Sequence, residues 1–223
     1  MKKALVIMAV LAMAAAAQAE VILNWAFLNS NIVSQSADTT NANLDSGSPL
    51  NDMIRGAGAG SSIGASSFRT LGFQNNGINV ANTDFFQFSL SAAAGYELSL
   101  TSITGAFVGT GSFSTNLGVD HQWAYSFDDS SYTLIGTAVN RVGNGSSFFD
   151  FSGTAALQNV ADTSTVYLRY YATGQTSTGG WGFASAGIQV DGTVAPSAIP
   201  EPATMGLLGL GALAMVLRRR MSK

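Results

Sequence analysis

The 223-residue chain contains no cysteine and a single histidine, His121. Disulfide bonds, Cys–His nucleophilic pairs and multi-histidine metal sites are therefore excluded. A Ser–His–Asp triad would have to use His121, but no Gly-x-Ser-x-Gly elbow marks a nucleophilic serine. We therefore predict that the protein is not an enzyme, and we assign it no catalytic residue.

Basic residues are scarce in the central part of the chain. Six of the ten Lys and Arg residues lie near the termini, so residues 20–195 contain four arginines, no lysine and twelve acidic residues. The formal net charge of this part is −8. Such a surface repels phosphate backbones, so no nucleic-acid partner is expected.

The N-terminus has the three parts of a secretory signal peptide. Residues 1–3 are positively charged, residues 4–16 are apolar, and Ala17 and Ala19 form a small-x-small cleavage site before Glu20. We predict removal of residues 1–19 by signal peptidase. The alternative is an uncleaved N-terminal anchor.

The middle of the chain has the pattern of an all-β protein. Apolar and polar residues alternate with a period of two, as in strands with one buried face, and the only helical signal is a single turn within 153–162. Eight or nine short strands separated by Gly, Asn and Ser predict a two-sheet antiparallel sandwich. The predicted strands are 21–27, 67–73, 84–90, 96–103, 122–127, 132–136, 165–172 and 181–194.

Residues 29–66 are rich in Ser, Asn, Gly, Ala and Asp, which is loop composition. We predict a loop-rich insertion or a poorly ordered segment within the domain 20–195. The glycine-rich stretch 55–62 lacks the lysine of a phosphate-binding loop and does not fit Gly-x-Gly-x-x-Gly. It is expected to be a flexible connection.

Three features follow one another at the C-terminus. A Pro-Glu-Pro motif precedes an apolar run, 203–217, which ends in a basic tail, 218–223. A helix of about 15 residues spans roughly 22 Å, short of the ~20 residues that cross a bilayer. The short run favours a removable sorting signal over a permanent anchor or a core helix. The basic residues place the C-terminus on the cytoplasmic side; they include Arg218, Arg219 and Arg220.

This order of features closely resembles the PEP-CTERM sorting signal of Gram-negative bacteria, over residues 196–223. The resemblance implies recognition of Pro200, Glu201 and Pro202 by a membrane-embedded exosortase, which cuts near them. It implies an inner-membrane intermediate held by the C-terminal helix, and then a protein at the cell surface or in the extracellular matrix. Hosts of this system typically make exopolysaccharide, which is a possible partner in a biofilm.

Two parts of the central domain resemble jelly-roll domains of secreted carbohydrate-associated proteins. One is the hairpin from Trp123 to Tyr132, with its Asp128-Asp129 turn, and the other is the final strand 181–194. The resemblance covers about residues 67–194. It implies a fold rather than a function.

The sequence does not decide which ligand the central domain binds. A calcium ion could use Asp128, Asp129 and Ser131, or Asp191, but a solvated turn is the favoured explanation of this pattern. Adjacent carboxylates diverge, which makes a polysaccharide-degrading enzyme the weakest alternative. We assign no metal site and no cofactor.

Aromatic side chains would bind sugars only if their rings were exposed. A carbohydrate-binding module is therefore the second interpretation, after an exported, non-enzymatic surface or matrix protein. Most such residues belong to cores, so none is assigned as a site. The candidates are Trp123, Tyr125, Tyr170, Tyr171 and Trp181.

Overall fold

A computed structural model describes residues 19–29, 32–47, 49–62, 66–114 and 117–197. The apolar residues 4–16 of the signal peptide and the apolar run 203–217 are both expected to form helices, and both lie outside these ranges. Within them, no helix is long and apolar enough to cross a membrane.

The described residues form fourteen strands and one turn of 3-10 helix at Ala155–Leu157. This turn lies where the sequence predicted one. The strands are β1 (Glu20–Trp25), β2 (Gln35–Ser36), β3 (Thr39–Thr40), β4 (Asp52–Arg55), β5 (Ser67–Thr70), β6 (Phe86–Leu90), β7 (Tyr96–Gly109), β8 (Val119–Ser126), β9 (Thr133–Leu134), β10 (Val139–Arg141), β11 (Gly145–Asp150), β12 (Val160–Ala161), β13 (Val166–Thr173) and β14 (Trp181–Pro196).

The strands form two antiparallel sheets. The first sheet has the order β11-β7-β14-β1-β3, with β12 beside β7 and β5 beside β14. The second has the order β10-β8-β13-β6-β4-β2, with β9 beside β8. The predicted all-β, two-sheet antiparallel sandwich is confirmed. The predicted hairpin is also present, because β8 and β9 pair with Ala124 opposite Leu134.

Aromatic side chains from both sheets fill the core. The ring of Trp25 in the first sheet lies 4.8 Å from that of Phe88 in the second, and Phe107 lies 5.5 Å from Tyr170. Burial of one such side chain contributes about 1.5–3 kcal/mol. A chain without disulfides depends on this core for its stability.

The prediction for strand β6 was wrong on one face. Gln87 and Ser89 alternate with apolar residues along β6, a pattern that predicts a solvated face, but each is only 6% exposed. The outer face of β6 is covered, because the Arg169 Nε donates to Gln87 Oε1 at 2.6 Å and the Tyr132 hydroxyl does so at 3.2 Å. Strand β13 and the β8–β9 hairpin therefore bury a polar face of β6. Alternation alone predicts that this face is exposed to solvent.

Strand β7 contains a β-bulge that changes its alternation. Ser102 pairs with Asp191, but Leu100 pairs with Gly192, so Thr101 is an extra residue on β7. The bulge lets both Leu100 and Ile103 face the core, although they are three residues apart.

The segment 29–66 belongs to the sandwich, which differs from the expected insertion. It supplies β2 and β4 to the second sheet and β3 to the first. Met53 is fully buried, and the Arg55 guanidinium lies 3.8 Å from the Phe68 ring centre. Because β2 and β3 are consecutive edge strands of opposite sheets, the segment closes one side of the sandwich.

Candidate functional site

Both ends of the domain lie at one end of the first sheet. Glu20, the first residue of β1, pairs with Gly192 of the antiparallel strand β14. Strand β14 continues for four more residues to Pro196, about 13 Å at roughly 3.3 Å per residue. We call this end, defined by Glu20, Gly192 and Ser197, the terminal pole.

Strand β14 is held by β7 up to its last residue. Pro196 lies opposite Tyr96, and the N–H of Ser197 donates to the carbonyl of Gly95 at 2.9 Å. Gly95 is fixed in turn, because its own N–H donates to the Asp162 carboxylate at 2.6 Å. The hydrogen-bonded domain therefore extends through residue 197.

Residues 198–220, directly after this point, match the PEP-CTERM protein-sorting motif. The chain carries a PEP-CTERM sorting motif. The motif implies that the protein is exported, sorted to the cell surface and processed by an exosortase. The curated proteins gave no match to the chain, and neither did the solved structures.

Of the predicted processing residues, the structure describes only Ala19. It is exposed and directly precedes β1, and cleavage after it stays a prediction. The others lie outside the described residues, and their roles stay predictions: Ala17, Pro200, Glu201, Pro202, Arg218, Arg219 and Arg220.

His121 is fully buried in a hydrogen-bonded network between the sheets. Its Nδ1 lies 2.8 Å from the Tyr170 hydroxyl, and its Nε2 lies 3.2 Å from the Ser147 hydroxyl. The indole N–H of Trp181 donates to the same Tyr170 hydroxyl at 2.9 Å. The network links the second sheet, through β8 and β13, to the first, through β11 and β14.

The network fixes the direction of the His121 hydrogen bonds. Burial, and secondarily the positive charge of Arg141, lowers the pKa of His121 to about 3, so the ring is neutral at neutral pH. The Tyr170 hydroxyl accepts from Trp181 and finds its own acceptor in His121 Nδ1, which leaves the proton on Nε2. His121 therefore donates to Ser147 and cannot remove its proton, so this pair is structural.

The residues considered for calcium lie apart. Asp128 and Asp129 occupy the β8–β9 turn in the second sheet, whereas Asp191 lies in β14 of the first. Within the described ranges, no group of three or more His, Cys, Asp or Glu side chains is arranged to hold a metal ion.

Both carboxylates of the turn already have partners. Backbone N–H groups of Ser131 and Ser130, then the Ser126 hydroxyl, hold the pKa of Asp128 well below its ordinary value. Asp129 Oδ1 pairs with the Arg169 guanidinium at 3.3 Å and accepts from the Tyr132 hydroxyl at 2.6 Å. These contacts give both residues a role in fixing the hairpin turn.

The aromatic candidates for sugar binding are buried. Four have no exposed surface, and Tyr125 is partly buried against the core. Tyr171 points outward from the second sheet, but its ring packs on Phe85 and its hydroxyl donates to the Val80 carbonyl at 3.0 Å. The buried four are Trp123, Tyr170, Tyr171 and Trp181.

Sequence reasoning missed an exposed ring on strand β11. Phe148 is 62% exposed, while Phe149 beside it is buried. The sequence of residues 145–150, Gly-Ser-Ser-Phe-Phe-Asp, has no period-two alternation of polar and apolar residues, so no strand was predicted there. Phe148 lines a groove of about 250 Å³ between β11 and residues 135–139.

Phe148 begins a row of side chains across the outer face of the first sheet. Each member lies directly opposite the next on the neighbouring strand, so all share this face. We call them the outer row: Phe148 of β11, Thr104 of β7, Gln189 of β14, Asn24 of β1 and Thr39 of β3.

Proposed function

We propose that this chain is an exported, non-enzymatic β-sandwich protein of the cell surface or extracellular matrix. An exosortase processes it at its C-terminal motif, and the domain then associates with exopolysaccharide in a biofilm. The observation that carries the proposal is the match at residues 198–220, which begins directly after Ser197, the last residue that the structure describes and one that is hydrogen-bonded to Gly95.

The geometry of the terminal pole supports a two-step route through the membrane. Signal peptidase removes residues 1–19, and the apolar run 203–217 holds the domain at the inner membrane until exosortase acts. Pro200 is three residues from Ser197, a reach of at most about 10 Å. In this intermediate the domain therefore lies close to the membrane, with its terminal pole toward the bilayer.

The contacts made by the histidine and by the turn carboxylates support a non-enzymatic role. His121 is buried with its lone pair directed at Tyr170, and Asp128 and Asp129 are committed to one turn. A polysaccharide-degrading enzyme, which needs two convergent carboxyl groups in a cleft, is the weaker alternative.

A carbohydrate-binding module is the second candidate. The predicted tryptophan and tyrosine platforms do not favour it, since they are buried. The exposed ring of Phe148 beside a groove does favour it. In this version the domain retains exopolysaccharide through its surface rather than serving as a structural matrix component.

The sorting proposal is tested by the location of the protein in an exosortase-containing host. A Pro200→Ala/Pro202→Ala variant is expected to accumulate in the membrane fraction, while the wild type reaches the matrix and the medium. Pro196→Ala is the matched control, because this proline is exposed and lies just before the motif. Equal distribution of the wild type and the double variant would contradict recognition of the motif.

A further inference from the structure

The outer row is long enough to bind an extended polymer. It crosses five strands, and neighbouring strands lie about 4.8 Å apart, so it spans roughly 19 Å. Its direction is perpendicular to the strands. A chain lying along it would meet one side chain per strand.

The middle of the row offers hydrogen-bonding groups in fixed positions. Gln189 Nε2 donates to Asp191 at 2.7 Å, which orients the amide, and Asn24 Nδ2 donates to the Ile188 carbonyl at 3.4 Å. The oxygens of both amides and the Thr104 hydroxyl have no protein hydrogen-bond partner among the described residues. The row therefore presents acceptors together with a hydroxyl that both donates and accepts.

A shallow depression of about 170 Å³ lies along this part of the row. It is lined by Asn24, Thr104 and Gln189 together with small residues such as Ala106 and Gly187. Gly187 has a φ of +76°, and a Cβ there would clash with the Trp25 carbonyl, so the bulge of β14 must carry a glycine. The small residues leave room for a ligand above the backbone.

Phe148 supplies an apolar surface at the end of the row. It lies directly opposite Thr104, and Phe148 is one of the residues that line the groove beside β11. An aromatic face next to hydroxyl and amide groups suits a ligand that alternates apolar C–H faces with hydroxyls. Sugar residues have this character.

The charge around the row excludes an acidic ligand. Asp191 and Asp150 occupy the adjacent row, and hydrogen bonds from Ser152 hold the pKa of Asp150 below its ordinary value. Nearby carboxylates repel a uronate or phosphate polymer.

Three of the four arginines of the domain are held by other residues or buried, and do not act as free surface cations. Arg55 is bound to backbone carbonyls, and Arg169 is packed between two aromatic rings. Arg69 is 7% exposed, and Arg141 is half-buried. With no lysine in residues 20–195, the domain lacks the usual means of holding an anionic chain.

We propose that the outer row binds a neutral polysaccharide, with one sugar on Phe148 and the following sugars over Thr104, Gln189 and Asn24. This proposal rests on the matrix association proposed above and specifies its ligand class and site. It assigns binding to the outer face of the first sheet rather than to the tryptophans.

Affinity gel electrophoresis of the full chain, purified in mild detergent, tests this site. The gels contain hydroxyethylcellulose, dextran or galactomannan as neutral probes, or alginate as an acidic probe. We expect at least one neutral polymer to retard the wild type and alginate to have no effect. Phe148→Ala and Gln189→Ala are each expected to weaken retardation roughly tenfold.

Phe127→Ala is the matched control, because Phe127 is 43% exposed but follows β8 in the second sheet. It should bind as the wild type does, and the unfolding midpoints of all variants should be similar. The proposal is overturned if no neutral polymer retards the wild type, if alginate alone does, or if Phe148→Ala and Phe127→Ala behave alike. Binding failure would leave sorting intact, since sorting is measured separately by the location of the protein.

Discussion

Acid should destabilise the domain through His121. The ring is fully buried between the two sheets, and its pKa is lowered from 6.5 to about 3. In the unfolded chain the same residue titrates near its ordinary value. Between these two pKa values, the unfolded state binds a proton that the folded state does not.

The sign and size of the effect follow from this difference. Stability due to the neutral ring is fully present above pH 6.5, and it declines as the pH falls toward 3. At pH 5 the loss is about 2 kcal/mol relative to pH 8, since the slope approaches 1.36 kcal/mol per pH unit. Burial also raises the pKa of the Asp84 carboxyl, so a comparison with a variant that lacks the imidazole is needed to assign the loss to His121.

Urea unfolding followed by tryptophan fluorescence at pH 8, 7, 6 and 5 measures this loss. His121→Gln is the comparison, because an amide keeps a donor and an acceptor but does not titrate in this range. The variant is expected to be less stable overall and to lose most of the pH dependence. An equal decline in wild type and variant would refute the assignment to His121.

Three further predictions concern the core, the hairpin and the sorting motif. Tyr170→Phe should lower the free energy of unfolding by about 2–4 kcal/mol in urea titrations, because it leaves Trp181 and His121 without their buried partner. Arg169→Met should cost about 1–2 kcal/mol by the same assay, since two ring contacts and one partly exposed ion pair are lost. Deletion of residues 198–199 should reduce exosortase cleavage, measured by immunoblot, because Pro200 would then directly follow Ser197, whose N–H is bonded to the Gly95 carbonyl; normal processing of the deletion variant would contradict this.

Alternation predicted the strands well where one face of a sheet meets the core and the other meets water. It predicted the wrong environment for Gln87, because Tyr132 and Arg169, which cover its side chain, are more than 40 positions away in the sequence. Composition likewise marked residues 29–66 as loop. Their role in closing one side of the sandwich depends on pairing with strands that local composition does not reveal.

The sorting signal could be identified from the sequence, whereas the outer row could not. A sorting signal is a linear segment with its features in a fixed order, so residues 196–223 could be recognised directly. The outer row takes one residue from each of five strands, and its register depends on bulges in β1 and β14. Neither Thr104 nor Gln189 stands out until the sheet aligns them with Phe148.

The central claim is that the chain is cut at both ends and sorted as a folded domain. Intact mass of the protein recovered from the matrix and medium of an exosortase-containing host tests it most directly. We expect a species that begins at Glu20 and ends near Pro200. A species that still ends at Lys223 would contradict it.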